Sequence, residues 1–298
     1  MGDNPSAVKD LFAGAVGGIV LVGQPFDTVK VRLQTQSLQN PVYSSMMDCV
    51  SKTYKADGFR GFYKGTLTPL IGIGACVSIQ FGALEYVKRS FTESNTKAGQ
   101  ANPASLSLSQ LFLAGAVSGT ANSILSGPIE HVRTRLQVQS GTTKEFSGPV
   151  DFAKKTMKQF GIAGIYKGQA ITMGREFIGY GAYFLTYEYL IQRAMEKNNI
   201  RKRSDVPAYL QVIYGGFSGM AMWFSIYPID VVKSKLQTDA LDPAKRQYKS
   251  AIHCFSTTVK AEGMAGLYRG FWVCMLRAFP VNAATFLAFE ATMNVIGR

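Results

Sequence analysis

The stretch Pro25-Phe26-Asp27-Thr28-Val29-Lys30-Val31-Arg32-Leu33-Gln34 decides the fold, because the chain contains it three times. It returns as Pro128-Ile129-Glu130-His131-Val132-Arg133-Thr134-Arg135-Leu136-Gln137 and as Pro228-Ile229-Asp230-Val231-Val232-Lys233-Ser234-Lys235-Leu236-Gln237. The prolines lie 103 and then 100 residues apart, so the chain is a tandem array of three copies of one unit. In each copy an acid and a base three residues apart share one helix face.

Uncharged runs before the three motifs point to a membrane. Leu11–Phe26 is short, but Ala104–Ile129 and Pro207–Ile229 are long enough to cross a bilayer. A second run, Gly65–Leu84, follows the first motif, and its counterparts in the other copies are interrupted by charges. Because equivalent positions in a repeat should have equivalent structures, we predict an all-α membrane protein with six transmembrane helices in three pseudo-threefold repeats. The predicted boundaries are a polar tail over 1–10 and repeats over 11–95, 107–196 and 207–298.

The composition also favours a membrane transporter. The chain is 47% hydrophobic and only 17% charged, and its 30 glycines are many for an ordinary core. Small residues recur at a spacing that lets membrane helices approach closely. These pairs are Gly14 and Gly18, Gly115 and Gly119, and Gly215 and Gly219.

The net charge of +13 does not indicate a nucleic-acid partner, because the bases lie at helix ends and in loops rather than beside aromatic stacking surfaces. Such a distribution suits the orientation of a membrane protein and contact with anionic lipid. The four cysteines have no paired spacing, and His131 and His253 lie far apart in sequence. We therefore expect no metal site, no disulfide framework and no cofactor.

Helix one departs from the repeat. Gly14 lies 11 residues before its motif proline, whereas Gly115 and Gly215 lie 13 residues before theirs. At about 100° per residue, two missing residues turn the upstream face by about 200°. Either the helix changes register locally, or its upstream half differs from the other copies, or the sequence carries a deletion.

A short amphipathic stretch and a glycine-rich turn follow each motif. The stretches, about Ser44–Ala56, Pro149–Phe160 and Tyr248–Ala261, are predicted to lie on the membrane surface. In each turn an aromatic residue, a base and a glycine open the next helix, which exposes backbone N–H groups beside a positive charge. We expect these turns to bind the phosphates of a lipid such as cardiolipin. The residues assigned to lipid binding are Gly58, Lys64, Gly65, Lys167, Gly168, Gly263, Arg269 and Gly270. Phe160 stands where the other copies have an acid, so the middle turn is expected to differ.

The tripled motif, followed by an acid-glycine pair and an aromatic-base-glycine turn, resembles the mitochondrial carrier family over about Lys9 to Arg298. The resemblance implies six transmembrane helices around a central site, with both termini facing the cytosol and a short amphipathic helix on the matrix side of each repeat. It also implies location in the inner mitochondrial membrane. Since Met1–Asp10 has no presequence character, targeting is expected to be internal.

The resemblance further implies a matrix-side gate of three ion pairs between helices. On this sequence the pairs are Asp27 with Arg133, Glu130 with Lys233, and Asp230 with Lys30, with Gln34, Gln137 and Gln237 bracing them. Accessible pairs are worth only about 0–1 kcal/mol each, so three can close a gate without trapping it. The family's cytosolic gate, [FY]-[DE]-x-x-[KR], is nearly complete at Glu85 and Lys88, whereas the copies at Glu188 and Glu290 lack their base. At most one ion pair between helices is expected there.

Specificity should come from charged residues between the gates. Aligned on the cytosolic-gate acids, Gly72, Arg175 and Arg277 occupy one position, and Ile73 and Glu176 follow the first two. An arginine at membrane depth costs about 2.5–3.5 kcal/mol, which makes it a functional candidate unless it merely pairs with a neighbouring acid. We predict that Arg175 and Arg277 bind carboxylates and that Glu176 offers a site for an amine.

The substrate predicted from these residues is a small carboxylate-bearing metabolite, most readily an amino acid, carried by alternating access. The stretches Leu276–Ala284 and Tyr183–Glu188 resemble the branch that carries carnitine and acylcarnitines, ornithine and other amino acids. Arg175 followed by Glu176 resembles the amino-acid members, and an acylcarnitine carrier is the alternative. A nucleotide carrier is disfavoured by Gly72 and Ile73, an adaptor by the arginines, and no enzyme is indicated. We expect a monomer whose partners are its substrate and membrane lipid.

Overall fold

The computed structural model of the protein describes residues 21–37, 41–100, 103, 106–139, 145–198, 200, 206–277 and 280–281. Within those residues all regular structure is helical. In chain order the helices are α1 (21–35), α2 (Met46–Asp57), α3 (Leu67–Lys97), α4 (Leu108–Val138), α5 (Pro149–Ile165), α6 (Gln169–Lys197), α7 (Ala208–Thr238), α8 (Ala251–Gly266) and α9 (271–277). The Gly14–Gly18 pair, the altered spacing in helix one and Glu290 lie outside the described residues.

In the second repeat the helices run long, short and long (α4, α5 and α6), in register with the sequence motif. The motif prolines 128 and 228 lie inside α4 and α7, and Pro25 lies inside α1. The predicted amphipathic stretches form α2, α5 and α8. Two of these short helices begin at a serine cap: Ser45 accepts from the Asp48 N–H, and Ser250 accepts from the His253 N–H.

Glycines with positive φ mark the same two places in each repeat. The first set, Gly58, Gly161 and Gly263, has φ of 64°, 62° and 66°. The second set, Gly65, Gly168 and Gly270, has φ of 78°, 79° and 82°. Residues with a Cβ rarely adopt this region, so glycine is needed at both places. The backbone therefore carries the threefold repetition that the sequence predicts.

One helical segment among the described residues, Phe59–Lys97, is long and apolar enough by length and composition to cross a membrane. It contains α3, which includes the uncharged run after the first motif. The helices α4 and α7 have 31 residues each, and α6 has 29.

The chain forms two compact units. The first comprises Met1–Ile71, Ile129–Ile165 and Ser234–Arg298, and the second comprises Gly72–Pro128 and Tyr166–Lys233. Two apolar clusters form the core of the first unit. One contains Val29, Leu33, Cys49, Phe62 and Val273. The other contains Val132, Leu136, Phe146, Phe152 and Leu241.

In the second unit, α4 packs closely on α6. A Cβ added at Gly115 would lie 2.6 Å from the Tyr180 carbonyl oxygen, and one at Gly119 would lie 2.6 Å from the Glu176 carbonyl oxygen. These two glycines therefore allow the close approach that their spacing predicts. For Gly215 and Gly219 the same prediction stays untested by the described residues. Of the residues that the structure describes, the Tyr183 hydroxyl lies 3.8 Å from a Cβ at Gly215, and none lies within 4 Å of a Cβ at Gly219.

The proline in α4 leaves a backbone acceptor that a side chain satisfies. Pro128 has no N–H, so the carbonyl of Ile124 loses its helical donor. The Tyr166 hydroxyl donates to this carbonyl over 3.2 Å. The aromatic residue of the middle glycine turn thus stabilises the interrupted helix.

Candidate functional site

The proline motif of the first repeat carries the clearest ion pair of the predicted site. Asp27 follows Pro25 in α1, and its Oδ2 lies 2.6 Å from Nη2 of Arg133 in α4. The two side chains are 16% and 21% exposed, so water reaches the pair only in part. This contact joins the acid and base that the resemblance pairs in the first position of the matrix gate. Its gating role stays a prediction.

A buried amide holds the guanidinium of this pair. Gln24 lies immediately before the motif proline and is fully buried. Its Oε1 accepts from Arg133 Nη2 over 2.6 Å, and its Nε2 donates to the Lys64 carbonyl oxygen over 3.0 Å. Both ends of the amide are therefore used, and Arg133 is tied to the glycine turn of the first repeat. Nothing in the repeated motif indicated Gln24, because the other copies have Gly127 and Tyr227 at this position.

The bracing role assigned to Gln34, Gln137 and Gln237 stays a prediction. Gln137 Nε2 lies 3.3 Å from the Thr28 hydroxyl, and the Gln137 backbone carbonyl accepts from Arg32 Nε over 2.9 Å. Gln34 and Gln237 are almost completely buried. The carbonyl oxygen of Gln237 lies 3.1 Å from Nε2 of His131. The amide that contacts the Asp27–Arg133 pair is Gln24.

Arg277, assigned to the substrate, also contacts the carboxylate of Asp27. Its Nη1 lies 3.2 Å from Oδ1 and 3.3 Å from Oδ2 of Asp27. The Arg277 side chain is 25% exposed, and Gly23 lies beside it: a Cβ on Gly23 would lie 3.8 Å from Arg277 Cδ. Asp27 is therefore shared by two guanidinium groups, one from each of the other two repeats.

Arg175, the other predicted carboxylate receptor, contacts two acids in the second unit. It donates from Nη2 to the adjacent Glu176, and its Nε lies 3.9 Å from Oδ1 of Asp230. The side chains of Arg175, Glu176 and Asp230 are 9%, 6% and 7% exposed. The predicted amine site, Glu176, is thus already engaged by the neighbouring arginine. Both predicted arginines contact an acid of the proline motif.

The remaining predicted site residues differ in their burial. Lys30 and Lys233 are buried, and Glu130 is half-buried. The expected pairs Glu130–Lys233 and Asp230–Lys30 each join residues of different compact units, and they stay predictions. Gly72 is buried and Ile73 half-buried near the start of α3.

At the other end of α3, one base and one acid of the predicted cytosolic gate face each other. Lys88 Nζ in α3 lies 3.9 Å from Glu188 Oε1 in α6. The distance exceeds that of a hydrogen bond, so the pair is a loose one. Glu85 lies one turn before Lys88 and is exposed.

The bases of the outer glycine turns are bonded to acids of the protein. Lys64 Nζ lies 2.7 Å from Asp57 Oδ1, and Arg269 Nη1 lies 3.1 Å from Glu262 Oε1. The second motif bases reach the same acids, with Arg32 at 3.1 Å and Lys235 at 3.9 Å. In the first and third repeats one carboxylate thus joins a long helix to a glycine turn.

The middle repeat replaces this carboxylate with an apolar contact. Phe160 packs against the second apolar cluster of the first unit. Arg135, the equivalent motif base, instead donates to the Asp239 backbone carbonyl and lies 3.4 Å from His131 Nε2. Burial of Phe160 therefore takes the place of an ion pair, and the middle turn does differ as its sequence predicts.

Two amphipathic helices bury thiols. Cys49 in α2 and Cys254 in α8 are fully buried. Burial raises the pKa of the Cys49 thiol to about 11, and it raises that of Cys254 to about 11 as well, because a thiolate would lose its hydration. Among the described residues no three His, Cys, Asp or Glu side chains are grouped as metal ligands would be.

Comparison with known proteins bears directly on this arrangement. The mitochondrial carrier protein family matches residues 3–95, 104–198 and 204–298. A glutamate/glycine mitochondrial carrier of Schizosaccharomyces pombe is 46% identical over 97% of this chain and 95% of its own length. A mitochondrial glycine transporter of Saccharomyces cerevisiae is 47% identical over 99% of this chain and 94% of its own. The rat mitochondrial carnitine/acylcarnitine carrier protein is 38% identical over 98% of this chain and 95% of its own length. With its three repeats all matched, the chain belongs to the mitochondrial carrier family.

Proposed function

We propose that this protein is a multi-pass carrier of the mitochondrial inner membrane that moves a small amino acid by alternating access. The observation that carries the proposal is the contact between Arg277 and Asp27. At 3.2 Å, the guanidinium already binds a carboxylate of the protein, and a substrate carboxylate presents the same group. Arg277 is therefore the first receptor we assign to the substrate.

The same contact supplies a coupling between binding and opening. When a substrate carboxylate takes Arg277, Asp27 loses one of its two guanidinium partners and keeps only Arg133. The Asp27–Arg277 contact, which joins the first and third repeats, is then lost. Binding energy thus lowers the cost of opening, as a ligand that favours one of two states must do.

Arg175 is the second carboxylate receptor in this proposal. Its buried contacts with Glu176 and Asp230 keep a guanidinium charged inside the protein. A substrate carboxylate would compete with Asp230, whose 3.9 Å contact is the longer one, while Glu176 holds the arginine in place. Glu176 is then a positioning residue rather than the amine site.

The relatives support an amino acid over acylcarnitine. The proteins named for glutamate or glycine are 46% and 47% identical to this chain, against 38% for the rat carnitine/acylcarnitine carrier. The Arg175–Glu176 pair, which resembles that of amino-acid carriers, supports the same choice. Acylcarnitine remains the alternative substrate.

Six membrane spans and bound cardiolipin complete the proposal. Helices of 29 to 31 residues reach about 45 Å, more than the hydrocarbon core of a bilayer. Lys64 and Arg269 are bonded to acids of the protein. We therefore assign the lipid phosphates chiefly to the backbone N–H groups at the glycine turns. We expect the carrier to act as a monomer.

The test is a substrate-exchange screen with purified protein in liposomes, using glutamate, glycine, ornithine, carnitine and ATP. Saturable exchange of an amino acid is expected. Arg277→Ala should lower its kcat/KM about tenfold to a hundredfold, the effect of losing one charged hydrogen bond. The matched control is Arg193→Ala on the exposed face of α6, which should change exchange less than twofold. Saturable exchange of carnitine with no amino acid would overturn the proposal.

A further inference from the structure

We propose that a chamber between α3 and α6 in the second unit is a binding site for a primary ammonium group. The chamber has a volume of about 460 Å³. Its recognition groups are Phe81, Glu85, Lys88, Tyr183, Tyr187 and Glu188. We call it the aromatic chamber.

The aromatic side of the chamber, Tyr183 and Tyr187, offers ring faces to which a cation can bind. The rings of Tyr183 and Tyr187 lie one turn apart on α6, with centroids 6.3 Å apart and planes at 4°. Phe184 meets Tyr183 edge-on at 5.3 Å and so fixes the orientation of its ring. A cation over such a ring gains about 0.5–2 kcal/mol, the larger value when water is excluded.

The charges of the chamber also favour a cation. Two carboxylates, Glu85 and Glu188, face a single base, Lys88. Lys88 contacts Glu188 only loosely, at 3.9 Å, and the Glu188 side chain is just 7% exposed. A small ammonium ion next to a buried carboxylate would therefore compete with Lys88 for Glu188.

The chamber is distinct from the predicted carboxylate receptor. Tyr183 and Tyr187 lie 8 and 12 residues after Arg175 on the same helix, which corresponds to about 12 and 18 Å along its axis. The ammonium and carboxylate of one small amino acid are much closer together than that. The substrate therefore visits the chamber before or after it visits the arginine, and does not span both.

A consequence for the gate follows if the proposed function holds. An ammonium group that takes Glu188 releases Lys88, and the loose pair at the cytosolic gate opens. An amino acid would then loosen this pair with its amine and the Asp27–Arg277 contact with its carboxylate. This inference deepens the proposed function, but occupancy of the chamber can be measured without transport.

The test measures the thermal stability of the purified protein with ethylammonium, which has no carboxylate, and separately with acetate, which has no amine. At ten times its Kd, ethylammonium should raise the Tm of the parent protein by about 3 °C. Glu188→Gln and Tyr183→Leu should each abolish this shift. Tyr183→Phe keeps the ring and should preserve it.

Tyr86→Leu is the matched control, since Tyr86 lies on α3 with 76% exposure and outside the chamber. It should keep the full ethylammonium shift. The acetate shift should survive Tyr183→Leu and become smaller in Arg277→Ala, which keeps Arg175 as a second carboxylate receptor. An ethylammonium shift that is absent in the parent protein, or equal in the parent and both chamber variants, overturns the inference. If the shift behaves as expected but no amino acid is exchanged in liposomes, the chamber stands and the proposed function fails.

Discussion

Arg277 lies 3.2 Å from the carboxylate of Asp27, although the two residues belong to the third and first repeats. Because Arg133 of the second repeat binds the same carboxylate, all three repeats meet at one acid. Two guanidinium groups would repel each other here without the carboxylate between them. A change in the contact of one arginine with Asp27 therefore alters the charge environment of the other arginine.

Replacing Asp27 by Asn should disable the carrier. The amide is neutral, so Arg133 and Arg277 would be two close positive charges without the carboxylate that now joins them. We expect amino-acid exchange in liposomes to fall at least about tenfold, in keeping with the loss of one charged contact. Asp48→Asn, on the exposed surface of α2, is the control and should exchange normally. Normal exchange by the Asp27→Asn protein would mean that the shared carboxylate has no role in transport.

Replacing the buried Asp57 by Asn should destabilise the protein more than the same replacement of an aspartate nearer the surface. Asp57 is 5% exposed and is the carboxylate partner of both Arg32 and Lys64. Breaking a buried pair costs about 3–5 kcal/mol, because the remaining charges stay buried. The measurement is Tm in detergent, which should fall by several degrees. Asp151→Asn removes an exposed i,i+4 partner of Lys155 and should leave Tm nearly unchanged.

Gly65→Ala should lower stability, whereas Gly74→Ala should not. Gly65 has φ of 78°, and a Cβ there would lie 3.0 Å from the Arg133 carbonyl oxygen. The left-handed backbone alone costs an alanine about 1–2 kcal/mol, and the contact adds to it. Gly74 lies in the middle of α3 with nothing among the described residues within 4 Å of a Cβ. A Gly65→Ala protein as stable as the parent would show that the turn adopts another conformation.

The pair Lys88–Glu188 should show weak but measurable coupling. A double-mutant cycle with Lys88→Met and Glu188→Gln compares the effects of the single and double changes on Tm and on exchange. At 3.9 Å and with Lys88 24% exposed, the coupling energy should be about 0.2–1 kcal/mol. A coupling energy of zero in both measurements would contradict a contact between these side chains.

The buried thiols should make stability depend on alkaline pH. The pKa of Cys49 and of Cys254 is about 11 in the folded protein, against an ordinary value of 9.0. Since folding raises the pKa, the contribution is fully present below pH 9 and is lost as the pH rises towards 11. The difference in unfolding free energy between the parent protein and the Cys49→Ala, Cys254→Ala double variant should shrink over that range. A difference that does not change with pH would contradict buried thiols.

The sequence predicts most of the fold because each position of the repeat occurs in three copies that can be compared. The glycines at 58, 161 and 263, and those at 65, 168 and 270, could be assigned to turns from their recurrence, and their φ values agree. The Asp27–Arg133 contact follows the pairing that the family resemblance implies. A pattern carried by all three copies is therefore a reliable guide to the backbone.

Individual side-chain contacts were not predictable in this way. Gln24 has no counterpart in the other repeats, so nothing marked it as a partner of Arg133. Arg277 could be aligned with Gly72 and Arg175, but the length of an arginine side chain lets it reach an acid on another helix. Lys64 was assigned to lipid from its turn, and sequence alone did not reveal that Asp57 lies close enough to bind it. The repeated pattern predicts where the backbone of each residue lies, but not which distant residue its side chain contacts.

The replacement of an acid by Phe160 gives the three repeats different responses to the solvent. In the outer repeats, Asp57 and Glu262 hold the glycine turns through charge, and added salt screens such contacts to the extent that water reaches them. Phe160 rests on an apolar cluster, which salting-out anions such as sulfate strengthen and cooling weakens. The contact that holds the middle repeat therefore depends more on temperature, and those that hold the outer repeats depend more on ionic strength.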